Sequence, residues 1–231
     1  MDLKRFFTDR PIGEYAYLTG QEFFHAVKVV RLKVGYKLIV CRGDEYDYYC
    51  TVEEIGKDQL MTKVDKKVSN DTELSRNVTL YIGVNKDLDT VVQKAVELGV
   101  NRIVPFTSQH SNVSKINKER LDAIVMESSK QCGRSKLATI GDLISFSEIN
   151  TENMQVFAFY EFERNNKVSA APLNEKDIAV VIGSEGGFSI DEYKTMLNKG
   201  WHVLTLGKRI LRVGTAVVSA LTLVNERAGE L

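Results

Sequence analysis

Two stretches in the last third of the chain restrict its fold more than any others: Val180-Val181-Ile182-Gly183-Ser184-Glu185-Gly186-Gly187-Phe188-Ser189 and Leu204-Thr205-Leu206-Gly207-Lys208-Arg209-Ile210-Leu211-Arg212. Each passes from a short apolar run, read as a buried parallel strand, through a glycine-bearing loop into a helical pattern. α/β proteins build ligand sites in this way, at the carboxyl ends of strands. Glycine lacks a Cβ, so it accepts positive φ and lets a ligand approach the backbone closely. Two such loops facing each other suit a cofactor held largely by main-chain groups. Neither loop has the G-x-G-x-x-G spacing of a dinucleotide fold, and neither ends in the Gly-Lys-Ser/Thr of a P-loop. Ser189-Ile190-Asp191-Glu192 has the form of a capping box, which predicts a helix from about Ile190 that stops at Gly200.

The chain has 231 residues, enough for two ordinary domains, and its 43% hydrophobic and 27% charged residues are normal for a globular protein. No apolar run reaches the roughly 20 residues of a membrane helix, and the charged amino terminus lacks a signal-peptide core. A cytoplasmic protein with no membrane partner is expected. Cys41, Cys50 and Cys132 lack C-x-x-C spacing and His25, His110 and His202 lie far apart, so neither a disulfide framework nor a metal site is expected. The formal net charge of +0 argues mildly against a nucleic-acid partner. Locally, however, Lys4, Arg5, Arg10, Lys28, Arg31, Lys33 and Lys37 precede an acidic stretch from Asp44 to Asp58. Basic groups gathered on one side would make an RNA-binding face, and a solvated surface of mixed charge fits the same residues.

Between Tyr15 and Val64 the pattern is short and β-like, with strands expected at residues 37–41, 48–52 and 59–64, which points to a small barrel or curled sheet. Residues 66–76 read as a linker. Beyond Asn77 strands alternate with helices: strands at 78–82, 102–106, 155–160 and 178–182, a helix carrying Leu88, Val91, Val92, Ala95 and Leu98, and another around Leu121, Ile124 and Val125. Glu127, Gln131 and Arg134 follow at i, i+4 and i+7, the spacing of one helical face, where a salt-bridge cluster is as good a reading as a site. Residues 215–225 form a closing apolar helix. Its Ala216, Val217, Ala220, Leu221 and Val224 suit either contact with a second copy or an internal core.

Several segments, taken in order, resemble the SPOUT superfamily of S-adenosylmethionine-dependent RNA methyltransferases, and within it the ribosomal RNA small-subunit methyltransferase E family. They are Lys4-Arg5-Phe6-Phe7, His25 with Lys28-Val29-Val30-Arg31-Leu32, Gln93 to Val100, Glu127 with Gln131-Cys132-Gly133-Arg134, Ile182 to Ser189, and Leu206 to Arg212. The likeness covers nearly the whole length. It implies an α/β architecture: a PUA-like RNA-binding β-barrel over residues 1–70 and, over 74–231, a SPOUT domain tied in a trefoil knot, which periodicity alone could not suggest. It also implies a homodimer, S-adenosylmethionine as cofactor, and methylation of N3 of one uridine in the decoding region of 16S rRNA, free or in the small ribosomal subunit.

On this resemblance Gly183, Glu185, Gly186, Gly187, Leu206, Gly207, Ile210 and Leu211 are the cofactor positions. Arg134 and Arg212 are the catalytic candidates, because a guanidinium stays charged and offers a planar fork of donors to a phosphate or to negative charge developing on uracil. Arg5, His25, Lys28 and Arg31 are the RNA-binding candidates. The chain departs from the family pattern at Ser184, where proline is usual, at Gly214, where glutamate is usual, and at Ala138, where proline is common. A SPOUT enzyme acting at another RNA position, and an RNA-binding scaffold impaired in catalysis, are the alternative readings.

Overall fold

Val78-Thr79-Leu80-Tyr81-Ile82-Gly83 is buried at every position, as a strand covered on both faces requires. It lies in the second of two units into which the computed structural model divides. The structure describes residues 3–111, 115–174 and 176–231. One unit comprises Met1–Glu73 with Met126–Leu137, the other Leu74–Val125 with Ala138–Leu231.

The first unit contains β1 (Arg5–Phe7), β2 (Tyr15–Thr19), α1 (Gly20–Phe24), β3 (Lys37–Cys41), β4 (Tyr46–Ile55) and β5 (Gln59–Ser69). A π-helical turn, His25–Val29, continues α1. The sheet order is β1-β3-β4-β5-β2. Every pairing is antiparallel except that of β1 with β3. Phe6, Leu18, Leu38 and Leu60 are fully buried within it, each contributing about 1.5–3 kcal/mol by leaving water. Along β4 the tyrosines divide, with Tyr46 exposed and Tyr48 in the core. The expected linker from residue 66 starts too early. β5 continues to Ser69, because Lys67 and Ser69 stay in register with Tyr48 and Tyr46.

The second unit follows with β6 (Val78–Gly83), α2 (Leu88–Glu97), β7 (Arg102–Thr107), α3 (Lys118–Cys132), β8 (Thr139–Ile140), β9 (Ile144–Ser145), β10 (Met154–Phe159), β11 (Asp177–Ile182), α4 (Ile190–Asn198), β12 (His202–Leu204) and α5 (Val213–Ala228). Its sheet runs β12-β10-β11-β6-β7-β8, with β9 also beside β7. All its pairings are parallel. Side chains of successive strand residues point to opposite faces. Tyr81, Val104, Phe106, Val156, Ala158 and Val181 meet Phe188, Met196 and Trp201 on one face, where the Phe106 and Phe188 rings stack 6.1 Å apart.

α5 packs against α2 and β11, and the Asn225 side-chain amide donates to the Leu98 carbonyl at 2.9 Å. Val217, Ala220, Leu221 and Val224 are therefore buried inside this unit, as an internal core stripe requires, while Ala216 is half-buried. The large apolar side chains that α5 leaves exposed are Val218 and Leu223.

Residues 126–137 stand apart from their neighbours in sequence. They begin within α3 yet cluster with the first unit, where Met126 and Leu137 pack on buried Phe7, Ile39 and Cys41. Among the described residues no helix is long and apolar enough to cross a membrane.

Candidate functional site

The carboxyl ends of β10, β11 and β12 surround a cavity of about 580 Å³, within the usual range for small-ligand pockets. Its wall is built from Phe159–Phe162 after β10, Ile182–Gly187 after β11, and Thr205–Gly207 with Arg209–Val213 after β12. Ala216 of α5 and Asp87 beyond β6 complete it. Parallel strands that end side by side leave such a crevice, because each chain must turn away into its next element.

The loop after β11 closes as a tight turn in which the Gly187 N–H donates to the Ser184 carbonyl at 3.0 Å. Gly187 adopts φ +68°, a left-handed conformation that favours glycine. The turn is fixed on its far side by the capping box of α4. The Ser189 hydroxyl accepts from the Glu192 N–H at 3.2 Å, and the Glu192 carboxylate accepts from the Ser189 N–H at 2.8 Å. The other Glu192 oxygen accepts from the Gln109 N–H at 2.9 Å, which ties residues 108–111 to the same turn. His110 Nδ1 stands 3.1 Å from the Gly186 carbonyl oxygen. Ser184 is buried, with its hydroxyl 3.4 Å from that of Ser108. In the loop after β12, Gly207 adopts φ +109° and its N–H donates to the Thr205 hydroxyl at 3.1 Å.

Gly183, Glu185, Gly186, Gly187, Leu206, Gly207, Ile210 and Leu211 all line this cavity, and so does Arg212. Gly186 needs its missing side chain for a different reason than direct ligand approach: a Cβ there would lie 2.6 Å from the His110 Cβ. Glu185 accepts from the Lys86 N–H at 2.9 Å. Arg212 is exposed and stands as the N-cap residue of α5. Gly214 has open space where a side chain would project.

The remaining candidates belong to the first unit. Arg134 does not continue the face of Glu127 and Gln131, because α3 ends at Cys132 and Gly133 turns the chain at φ +88°. Its guanidinium is buried and forms a two-point ion pair with Glu73, at 2.8 and 2.7 Å. Arg5, expected on an RNA-binding face, is likewise withdrawn: its guanidinium forks onto buried Asp47 and also donates to the Cys41 sulfur at 3.0 Å. Burial pushes the Cys41 thiol up to about 12. Lys28 and Arg31 are exposed, and Arg31 holds φ +60°. His25 is half-buried, its ring 5.8 Å from that of Phe6. It also approaches Glu22 and Glu127, whose charge is met by the Lys130 ammonium at 2.5 and 2.8 Å.

Glu161, with its neighbour Tyr160, is a pocket residue that motif reading missed. Tyr160 stacks on Tyr193 of α4, ring centres 4.7 Å apart. Burial raises the Glu161 carboxyl above its usual range, offset in part by hydrogen bonds from its own N–H and that of Phe188. The available signal was positional, since both residues follow directly on a strand that ends beside the glycine turn.

Residues 72–225 match the RNA methyltransferase domain family, and residues 18–65 match the RNA methyltransferase PUA domain family. Ribosomal RNA small subunit methyltransferase E of Aquifex aeolicus is 34% identical, with 81% of each chain covered. The Bacillus subtilis protein of the same name is 28% identical, over 90% of this chain and 88% of its own. The crystal structure of the Neisseria gonorrhoeae protein of that name, bound to S-adenosyl methionine, superposes with a TM-score of 0.90 at 22% identity, over 97% of this chain and 98% of the other. That likeness establishes the fold, a SPOUT-type α/β domain with a PUA-like amino-terminal domain. The chain is an RNA methyltransferase and belongs to the ribosomal RNA small subunit methyltransferase E family.

Proposed function

We propose that the protein methylates N3 of a uridine in the decoding region of 16S rRNA, using S-adenosylmethionine bound in the cavity at the ends of β10, β11 and β12. The observation that carries this reading is the convergence of both glycine loops on one cavity within a chain of this family. The cavity fits the cofactor: its volume is adequate, its apolar wall includes Phe159, Ile182, Leu206 and Ile210, and residues of both glycine loops line it. The cofactor brings an already activated methyl group, so the protein's work is alignment and removal of the N3 proton. Arg212 lines the cavity and is exposed, and in this reading it meets a phosphate or the negative charge developing on uracil. Lys28 and Arg31 of the PUA-like unit serve the RNA backbone. A homodimer and a trefoil knot belong to the same reading.

The test is mass-spectrometric mapping of methylated uridines in 16S rRNA from cells with and without the gene, followed by restoration with purified protein. Loss of one N3-methyluridine on deletion and its return on addition is the expected result. A modification appearing at another atom, or none at all, refutes the assignment.

A further inference from the structure

Four carboxylate- or guanidinium-bearing residues of the cavity wall, Asp87, Glu185, Arg209 and Arg212, are exposed to solvent, whereas Glu161 is partly buried. A charge withdrawn from water acts more strongly on its neighbours, because the screening medium is less polarisable. Glu161 also sits hard against the glycine turn: a Cβ on Gly187 would fall within 1.7 Å of its Oε1. Phe188 donates its N–H to the carboxylate. Arg164 reaches Glu161 through the backbone carbonyl only, and among the described residues no lysine or arginine forms an ion pair with the carboxylate. The side chain is thus held against the turn without a lysine or arginine partner, and His110 is the basic side chain whose charge acts on it.

Given S-adenosylmethionine as the ligand of this cavity, we propose that Glu161 is the group that reads the cofactor's positive charge and so favours the sulfonium form over the uncharged thioether product. The two molecules share adenine, ribose, amine and carboxylate, and differ at the sulfur by a methyl group and one positive charge. A carboxylate acting on that charge stabilises the first and is indifferent to the second. The same discrimination would speed exchange of product for fresh cofactor. The bland alternative is that Glu161 only anchors the turn through the Phe188 N–H.

Glu161→Gln separates these roles, because the amide oxygen can still accept from Phe188 while the charge is gone. Calorimetric titrations of the wild type and E161Q would use S-adenosylmethionine, S-adenosylhomocysteine and sinefungin, whose protonated amine takes the place of the sulfonium. The expected result is about a tenfold loss for the two cationic ligands, equivalent to about 1.4 kcal/mol, with S-adenosylhomocysteine changed less than about threefold. Equal losses for all three ligands would overturn the proposal in favour of anchoring or of contact with a shared group, and no loss would overturn it outright. If E161Q does not fold, as judged by its urea midpoint, Glu161→Asp withdraws the charge by one methylene. It should weaken the cationic ligands alone, and an equal change in all three again overturns the proposal. A wild-type protein that binds none of the three ligands would instead refute the cofactor assignment itself, a failure distinct from a loss of discrimination.

Discussion

Gly83 closes β6 directly against the start of the glycine turn, and its substitution by alanine makes a sharp test of how that turn is positioned. A Cβ at Gly83 would lie 2.2 Å from the Ser184 nitrogen, 2.6 Å from the Gly183 carbonyl carbon and 2.9 Å from the Ser184 Cα. All three are backbone atoms, so no side chain can swing aside. Ordinary contact begins at 3.4 Å, and the shortest approach must open by about 1.2 Å (3.4 − 2.2). The β6–β11 ladder holds Ile82 opposite Ile182 just before this point, so the opening falls on Gly183 and Ser184, which line the cavity. Overpacking of this kind costs about 1–3 kcal/mol, and the reduced freedom of the unfolded chain returns about 0.4–1 kcal/mol. Gly83→Ala should therefore lower stability by about 1–2 kcal/mol in urea unfolding. A displacement on the order of 1 Å can cost a site about a hundredfold, so calorimetry should show S-adenosylmethionine affinity reduced by at least about tenfold. Gly214→Ala is the matched control, since a Cβ there meets nothing within 4 Å, and an alanine inside α5 should add about 0.5–1 kcal/mol. A Gly83→Ala protein with unchanged urea midpoint and unchanged affinity would refute the argument.

Arg134→Ala should destabilise the protein by about 3–5 kcal/mol, because it breaks a two-point ion pair that is largely buried on both sides; a urea midpoint within error of the wild type would show that the pair contributes nothing. Lys28→Ala with Arg31→Ala should weaken RNA binding and flatten its salt dependence by about 0.7–0.9 in log–log slope for each lost phosphate contact. Arg5→Ala should act through stability, and an effect on the salt slope equal to that of Lys28 would contradict its pairing with Asp47. A thiol reagent at neutral pH should modify partly exposed Cys132 and spare Cys41 and Cys50, as mass spectrometry of native protein would read. Burial raises these two thiols to about 12 and about 11. The neutral form is thus favoured in the folded state, and the stability this gives is complete below the unfolded thiol's range near pH 8.5. It is lost as pH climbs toward the folded values, so a urea midpoint that does not fall between pH 8 and 11 would disprove the sign.

The parts of the site that lie along single segments were legible in the sequence. The capping box at Ser189 and Glu192, the strand at 178–182 and both glycine loops follow from local spacing, and the structure brings the loops' residues to one cavity. What required the third dimension was pairing across the chain. Arg134 continues a helical spacing in sequence, but Gly133 breaks the helix and Glu73, sixty-one positions away, takes the guanidinium. Arg5 reads as a surface cation until Asp47 is placed beside it by the β1–β3–β4 order. Glu161 belongs to no motif, and only the parallel alignment of β10 with β11 sets it against Gly187.

The dispersal of the first unit along the chain bears on its order of assembly during synthesis. Residues 1–73 emerge from the ribosome with their sheet complete, but the segment 126–137 that joins them arrives only after β6, α2 and β7 have been made. Until then the apolar cluster of Phe7, Ile39 and Cys41 lacks Met126 and Leu137, and Glu73 lacks Arg134. At translation rates of about 5–20 residues per second, that interval lasts for several seconds. The nascent barrel must wait with a sticky patch and without the Arg134 guanidinium on Glu73, and a fragment ending at residue 73 would lack both permanently.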